Sequence, residues 1–340
     1  MESGVYNTSV LPNARLNRVA RSLERWFGKH QRPLPWRATY RPYDVWISEV
    51  MAQQTRMEVV LGYFERFIDR FPDVRTLAGA SLDEVTALWS GLGYYRRARM
   101  LREGAIDVVS RFGGELPRDV DELMSIRGIG RYTAGAIASI AFDERAPIVD
   151  GNVARVLARL EGEEDPWRHA EALVSSCRSP RMMNQALMEL GAMICTPRNS
   201  KCMECPLRRD CVAFATDRIH ELPAPRESQA TKRLQIPLYL VTDARGHILM
   251  RRERGPLMTA MLHLPHGNTA LFDHAPLAVT APRSIGSFQH TITTRRITFE
   301  VFAARARRQR GYEWVNAAEI RDLPHPSYVT KALKLASNQP

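Results

Sequence analysis

Three short stretches in a fixed order decide how this 340-residue chain is read. They are Leu123-Met-Ser-Ile-Arg-Gly128-Ile-Gly130-Arg-Tyr132-Thr-Ala134, then Val149-Asp150-Gly-Asn152-Val153, then a run of cysteines spaced Cys195-x6-Cys202-x2-Cys205-x5-Cys211. Gly128 and Gly130 predict a tight turn between two helices. Glycines there let backbone approach a phosphate closely, and the following helix points free N–H groups at it. This is the pattern of a helix–hairpin–helix, which grips nucleic-acid backbone without reading base edges. A lone Gly-x-Gly is weak, because helix-linking turns use glycine routinely. The ordered succession of all three stretches is much stronger. Asp150 precedes the apolar-periodic Val153, Val156, Leu157 and Leu160, so it predicts a helix N-cap. A carboxylate at a helix N-terminus stays ionised near neutral pH, as an oxocarbenium-like transition state would require beside it. The two roles are compatible.

Four of the five cysteines lie within residues 195–211. In a large chain that carries no secretory leader pattern, such crowding points to metal binding rather than a disulfide framework. Both Zn²⁺ and an iron–sulfur cluster accept four thiolates. Structural zinc sites usually split into two short knuckles, whereas here there is one x2 pair. Cys177 stands apart and reads as a buried small side chain. Arg198, Lys201, Arg208 and Arg209 surround the ligands, either touching phosphate or balancing thiolate charge. Lys and Arg outnumber Asp and Glu by 48 to 37, a net charge of +11, which favours a polyanionic partner such as DNA or RNA over a membrane surface. No run of about 18 apolar residues occurs, so the expectation is a soluble cytoplasmic protein.

Residues 14–213 read as mostly helical, with Val45, Trp46, Val50 and Met51 at helical spacing. Glu221-Leu-Pro-Ala-Pro-Arg-Glu-Ser228 reads as a linker. Beyond it Ile236–Thr242, His247–Met250 and Ile297–Phe302 look like strands, with a turn at Asp243–Gly246 and a last helix over Ser327–Ala336. The predicted fold class is a mostly α helix–hairpin–helix core followed by a smaller C-terminal α+β domain. Its boundaries are 1–216 for the helical domain, 217–233 for the linker and 234–340 for the C-terminal domain.

Leu34-Pro-Trp-Arg37, Val45-Trp-Ile-Ser-Glu49-Val-Met-Ala-Gln-Gln54-Thr55, Gly91-Leu-Gly-Tyr94-Tyr95, Val149-Asp-Gly-Asn152 and Asn184-Gln185-Ala-Leu-Met-Glu-Leu-Gly-Ala192 complete a pattern. Together they resemble the MutY-type adenine glycosylases of the endonuclease III superfamily, from about residue 14 to 215. The resemblance implies a glycosylase core with a [4Fe–4S] cluster on Cys195, Cys202, Cys205 and Cys211. It implies that Glu49 protonates adenine at N7, that Asp150 stabilises or transiently bonds the sugar cation, and that Asn152 orients that site. Apolar neighbours of Glu49 would raise its pKa if it is buried, which suits a general acid. Arg37 and Gln185 match positions lining the pocket for an extrahelical base; Gln54 and Tyr94 match residues that fill or wedge the stack. Tyr132 stands where bifunctional relatives carry the lysine that forms a Schiff base, so base removal without lysine-driven strand cleavage is implied.

The C-terminal stretch resembles the corresponding MutY domain, which is similar in fold to Nudix hydrolases. Met261-Leu-His263-Leu-Pro265 falls where the family often has Leu-Trp-Glu-Phe-Pro, and Glu313-Trp-Val resembles a late tryptophan strand. No glutamate-rich Nudix box follows Pro265, so no metal site for pyrophosphate hydrolysis is expected. The family reads 8-oxoguanine through a Phe-Ser-His loop; here the aligned residues are Ile292, Thr293 and Thr294. Ile292 is expected to serve as an apolar wedge and Thr293 to offer a hydroxyl, while Thr294 lacks the imidazole. Arg295, Arg296, Arg305, Arg307, Arg308 and Arg310 either contact phosphate or form a solvated face. The implied partner is double-stranded DNA with a mispaired adenine, met by a monomer, with no membrane. The rival readings are a glycosylase of the same core acting on thymine or uracil, and a non-catalytic iron–sulfur DNA-binding protein.

Overall fold

The computed structural model describes residues 13–163, 165–224, 230–255, 257–273, 277–307 and 310–337. Linker residues 225–229 and Arg308 lie outside them. The helices are α1 (Asn13–His30), α2 (Trp36–Thr39), α3 (Pro42–Ala52), α4 (Met57–Arg70), α5 (Val74–Gly79), α6 (Leu82–Leu88), α7 (Arg96–Phe112), α8 (Val120–Met124), α9 (Arg131–Ala136), α10 (Gly151–Glu161), α11 (Pro166–Ser176), α12 (Pro180–Met193), α13 (Val212–Ala215) and α14 (Ser327–Ser337). The strands are β1 (Lys232–Val241), β2 (His247–Arg252), β3 (Leu262–His263), β4 (Thr280–Ile292), β5 (Arg295–Arg305) and β6 (Glu313–Asn316). No described helix is long and apolar enough to cross a membrane.

The chain divides into two compact units. One holds the described residues up to Phe64, Asp73–Arg75, and Glu103 onward to residue 224; the other holds Glu65–Pro72, Thr76–Arg102 and the described residues from 230. In the first unit α1 turns Leu16, Val19, Ala20, Leu23, Trp26 and Phe27 inward at helical spacing, against Leu157, Leu173, Leu187 and Leu190. A smaller cluster of Val45, Ala136, Ile140 and Ile148 joins α3 to α9 and its π-helical continuation over Ile137–Ala141. That cluster sets the helix bearing Glu49 beside the one bearing Tyr132. Asp150 caps α10, and Gly162 closes it with a left-handed φ of 78°. Gly191 lets α12 meet α10 closely: a Cβ there would sit 2.7 Å from the Cβ of Asn152.

In the second unit β5 lies between β1, to which it is parallel, and β4, to which it is antiparallel; β2 pairs antiparallel with β3 and β6. Tyr328, Val329 and Ala332 of α14 join Ile297, Phe299 and Val301 of β5 in its core. The expected strands over 236–242, 247–250 and 297–302 and the last helix are present. Strand β4 was not anticipated: Thr280–Gln289 carries Pro282 and Gly286 and buries little besides Ile285, so it lacks apolar alternation. Residues 76–102 lie in this unit although the sequence alone groups them with the helical domain. Here the Ser90 hydroxyl donates to the His325 carbonyl at 2.9 Å, and Arg252 pairs with Asp83 at 2.8 Å.

Candidate active site

Glu49 points from α3 into the interior of the first unit, only 8% exposed. The Tyr132 hydroxyl donates to its Oε2 at 2.7 Å. Burial pushes the Glu49 carboxyl up to about 7, with the neighbouring Asp150 adding to the rise, while the Tyr132 hydrogen bond and Arg37 oppose it. The Tyr132 phenol is itself driven well above its ordinary value, first by burial and then by the Glu49 charge, so it acts as a neutral donor. Asp150 accepts the Val153 N–H on Oδ1 at 2.7 Å and the Asn152 amide on Oδ2 at 3.3 Å. Arg155 continues the chain of contacts. It donates to Asn152 Oδ1 at 2.8 Å, to the Gly191 carbonyl at 2.7 Å and to the Cys195 carbonyl at 2.7 Å. The sequence thus brings Glu49, Tyr132, Asp150 and Asn152 into one constellation, and Arg155 ties it to the start of the cysteine loop.

Arg37 donates through Nε to Gln185 Oε1 at 2.8 Å and pairs through Nη2 with Glu189 at 3.1 Å. Arg32 also pairs with Glu189, at 2.8 Å. Burial alone would raise the Glu189 carboxyl, but the two guanidiniums outweigh it and hold the group at about 2. Glu189 and Arg32 escaped the sequence reading. The available signal was a glutamate four residues after Gln185, hence on the same helix face. Arg37 and Gln185 are therefore fixed to each other and to α12.

Gly128 takes a left-handed φ of 82°, which favours glycine. Gly130 has φ −97° and precedes α9 as its N-cap. Gln54 (φ 55°) and Tyr94 (φ 49°) are exposed non-glycine residues in the left-handed region, a strained state that tends to persist at functional positions. Tyr94 is 47% exposed, with Arg97 over its ring at 5.5 Å.

Cys195, Cys202, Cys205 and Cys211 line one cavity with Ile194, Arg208, Phe214 and Ile219. Burial raises the Cys205 thiol to about 12 and also raises Cys202 and Cys211. Four sulfurs around one apolar cavity fit a [4Fe–4S] group. Arg159, which the sequence did not single out, is 3% exposed and reaches Cys195 Sγ at 3.4 Å, the Thr196 carbonyl at 2.9 Å and Ser200 Oγ at 2.7 Å. Cys177 is buried as expected.

Comparison with known proteins accords with this geometry. Residues 47–178 match the model of the HhH-GPD superfamily base excision DNA repair protein. The mouse adenine DNA glycosylase is 47% identical over 208 residues, covering 56% of this chain and 40% of the mouse protein. The human adenine DNA glycosylase is 46% identical over 211 residues, covering 56% and 38%. Over a little more than half of its length the chain is similar to adenine DNA glycosylases. It spans about two-fifths of the length of those glycosylases. The structure of a thermostable thymine-DNA glycosylase superposes with a TM-score of 0.55 at 27% identity, covering 60% of this chain and 98% of that one.

Outside this glycosylase-like region, one expectation needs correction. Ile292 is only 6% exposed and packs in the core of the second unit, because it ends β4 on the inward-facing side of the strand. It therefore offers no wedge. Thr293 and Thr294 form the exposed turn between β4 and β5. Thr293 has φ 54°, donates to the Ile292 carbonyl at 2.7 Å and accepts from Arg295 at 3.2 Å.

Proposed function

We propose that the protein is a monofunctional DNA N-glycosylase of base-excision repair that hydrolyses the glycosidic bond of adenine mispaired with 8-oxoguanine or guanine. The observation that carries this reading is a buried carboxyl at Glu49 with a pKa of about 7, set beside the helix-capping carboxylate of Asp150. Tyr132 donates to Glu49 Oε2, so the proton resides on Oε1, from which it passes to the departing base. Asp150 offsets the positive charge that develops on the sugar, and Asn152 and Arg155 keep its carboxylate in place. A water then adds to the sugar cation and gives its proton to the Glu49 carboxylate, which restores the starting state. Tyr132 has no amine, so no Schiff base forms there. Arg37 and Gln185 border the space for the extrahelical base, the turn at Gly128 and Gly130 approaches DNA phosphates, and Gln54 and Tyr94 enter the vacated stack.

The four cysteines would hold a [4Fe–4S] cluster, whose role is to fold and charge the loop. The second unit is taken as Nudix-like, with the turn at Thr293 and Thr294 meeting the base opposite adenine. The likeness to a thermostable thymine-DNA glycosylase favours thymine as the alternative substrate. Single-turnover assays of abasic-site formation, with A, T, U or G placed opposite guanine and 8-oxoguanine, decide between these readings. Adenine release supports the proposal. Thymine or uracil release in its place transfers the site to another base, and tight duplex binding with no base release leaves a non-catalytic protein. Iron and acid-labile sulfide in anaerobically purified protein test the cluster; stoichiometric zinc without sulfide would remove it.

A further inference from the structure

The second unit contains a buried group of side chains that the glycosylase chemistry does not use. Glu253 follows β2, His263 ends β3, and His266 lies three residues on, where it bridges to Leu238 of β1. All three are buried, with exposures of 2%, 0% and 7%, and one donor atom from each lies within 4.8 Å of the others. Glu253 Oε1 accepts the N–H groups of Gly255 at 2.7 Å and Asp273 at 2.8 Å, while its Oε2 has no hydrogen-bond partner. His263 Nδ1 lies 2.7 Å from the Tyr328 hydroxyl, and its Nε2 has no partner. His266 Nδ1 lies 2.8 Å from the Gly267 carbonyl, which places the ring proton on Nδ1 and the lone pair on Nε2.

A buried carboxylate oxygen and a buried imidazole nitrogen left unpaired cost free energy. Arg251, the residue two before Glu253, pairs with Asp273 at 2.6 Å, and Glu253 Oε2 lies 3.7 Å from His263 Nδ1. Phe272 walls both imidazoles, at 5.1 and 5.2 Å. We propose that Glu253, His263 and His266 form a binding site for a divalent transition-metal ion of the zinc class, which clips the end of β2 to β3 and the loop after it. Two imidazoles and one carboxylate are a donor set that Zn²⁺ accepts at about 2.0–2.2 Å, with a fourth position for water. Tyr328 on α14 is the positioning residue, fixing the His263 ring through Nδ1.

The 340-residue chain, purified anaerobically so that any iron at the cysteines is kept, is stripped of loosely held metal and titrated with zinc. One equivalent of zinc is expected to bind without loss of iron, to raise the melting temperature, and to show only nitrogen and oxygen neighbours at the zinc absorption edge. Glu253→Gln and His263→Gln should abolish that uptake and the melting shift. Tyr328→Phe keeps the ring in the core and should weaken zinc affinity by about 10- to 100-fold. The proposal is overturned if the native chain takes up no zinc, if the zinc has sulfur neighbours and so sits at the cysteines, or if Glu253→Gln binds as the native chain does. Should the histidine variant fail to fold, the native absorption spectrum and the Tyr328→Phe titration still decide.

Discussion

Glu49 shows what one buried side chain costs and provides. Its proton is held to about pH 7, and in the proposed reaction the protonated form is the donor. The rate of base release should therefore be level below about 7 and fall as pH rises beyond it, and Glu49→Gln should lose the rate by about a thousandfold, or roughly 4 kcal/mol. The same shift acts on stability. The folded state holds the proton that the unfolded state gives up at its ordinary value of 4.5, so stability is fully present below 4.5 and is lost as pH rises through about 7. The full shift corresponds to about 3 kcal/mol. Glutamine carries no such charge, so denaturant unfolding should find Glu49→Gln gaining on the native chain between pH 5 and pH 8; a constant difference across that window would refute the buried-charge account. Glu189 has the opposite sign, held at about 2 by Arg32 and Arg37. Glu49 was legible in the sequence because its motif is contiguous. Glu189 also sits in a contiguous motif, but its pairing was not legible, since its partners lie more than 150 positions away.

At the scale of elements, α10 was the most readable, with a capping carboxylate followed by apolar periodicity. Its contact with α12 was not, because it depends on the missing side chain of Gly191. Gly191→Ala would drive a methyl into the Asn152 Cβ, costing about 1–3 kcal/mol and tilting the start of α10. Both melting and base release should suffer, while duplex binding at the hairpin changes little; an unaltered rate would show that α10 tolerates the shift. The β4–β5 hairpin shows the converse error, where a family-like loop was read without the strand that buries Ile292. Grafting phenylalanine there would overpack a filled core. Thr294→His restores the imidazole on the exposed turn. One gained hydrogen bond, about 1 kcal/mol, should sharpen the preference for 8-oxoguanine over guanine by about fivefold. An unchanged ratio in single-turnover assays at fixed salt would place lesion reading elsewhere.

For the whole molecule, composition pointed the right way at low resolution. A net charge of +11 predicts that duplex affinity falls steeply and log-linearly with salt, whatever base is mispaired, and filter binding between 50 and 200 mM salt reads the slope, roughly one per phosphate neutralised. A salt-independent affinity would mean that the basic excess faces away from DNA. The helical core was legible because its motifs follow one another along the chain. The assignment of residues 76–102 to the second unit was not, because it rests on contacts such as Ser90 with His325 and Asp83 with Arg252, which leave no local mark in the sequence.

Asp150 caps α10 and, in the proposed reaction, is also the charge beside the sugar; the two duties tolerate change differently. Asparagine caps a helix about as well as aspartate, so a chain carrying Asp150→Asn should fold, accumulate and grip mispairs as firmly as its parent while releasing no base. Such a chain is a competitor rather than a mere loss: mixed with the native protein, it should occupy mispairs and slow their clearance in proportion to its share. Titrating one against the other at limiting DNA measures that dominance, and no interference would mean that the asparagine chain has lost its hold on the duplex.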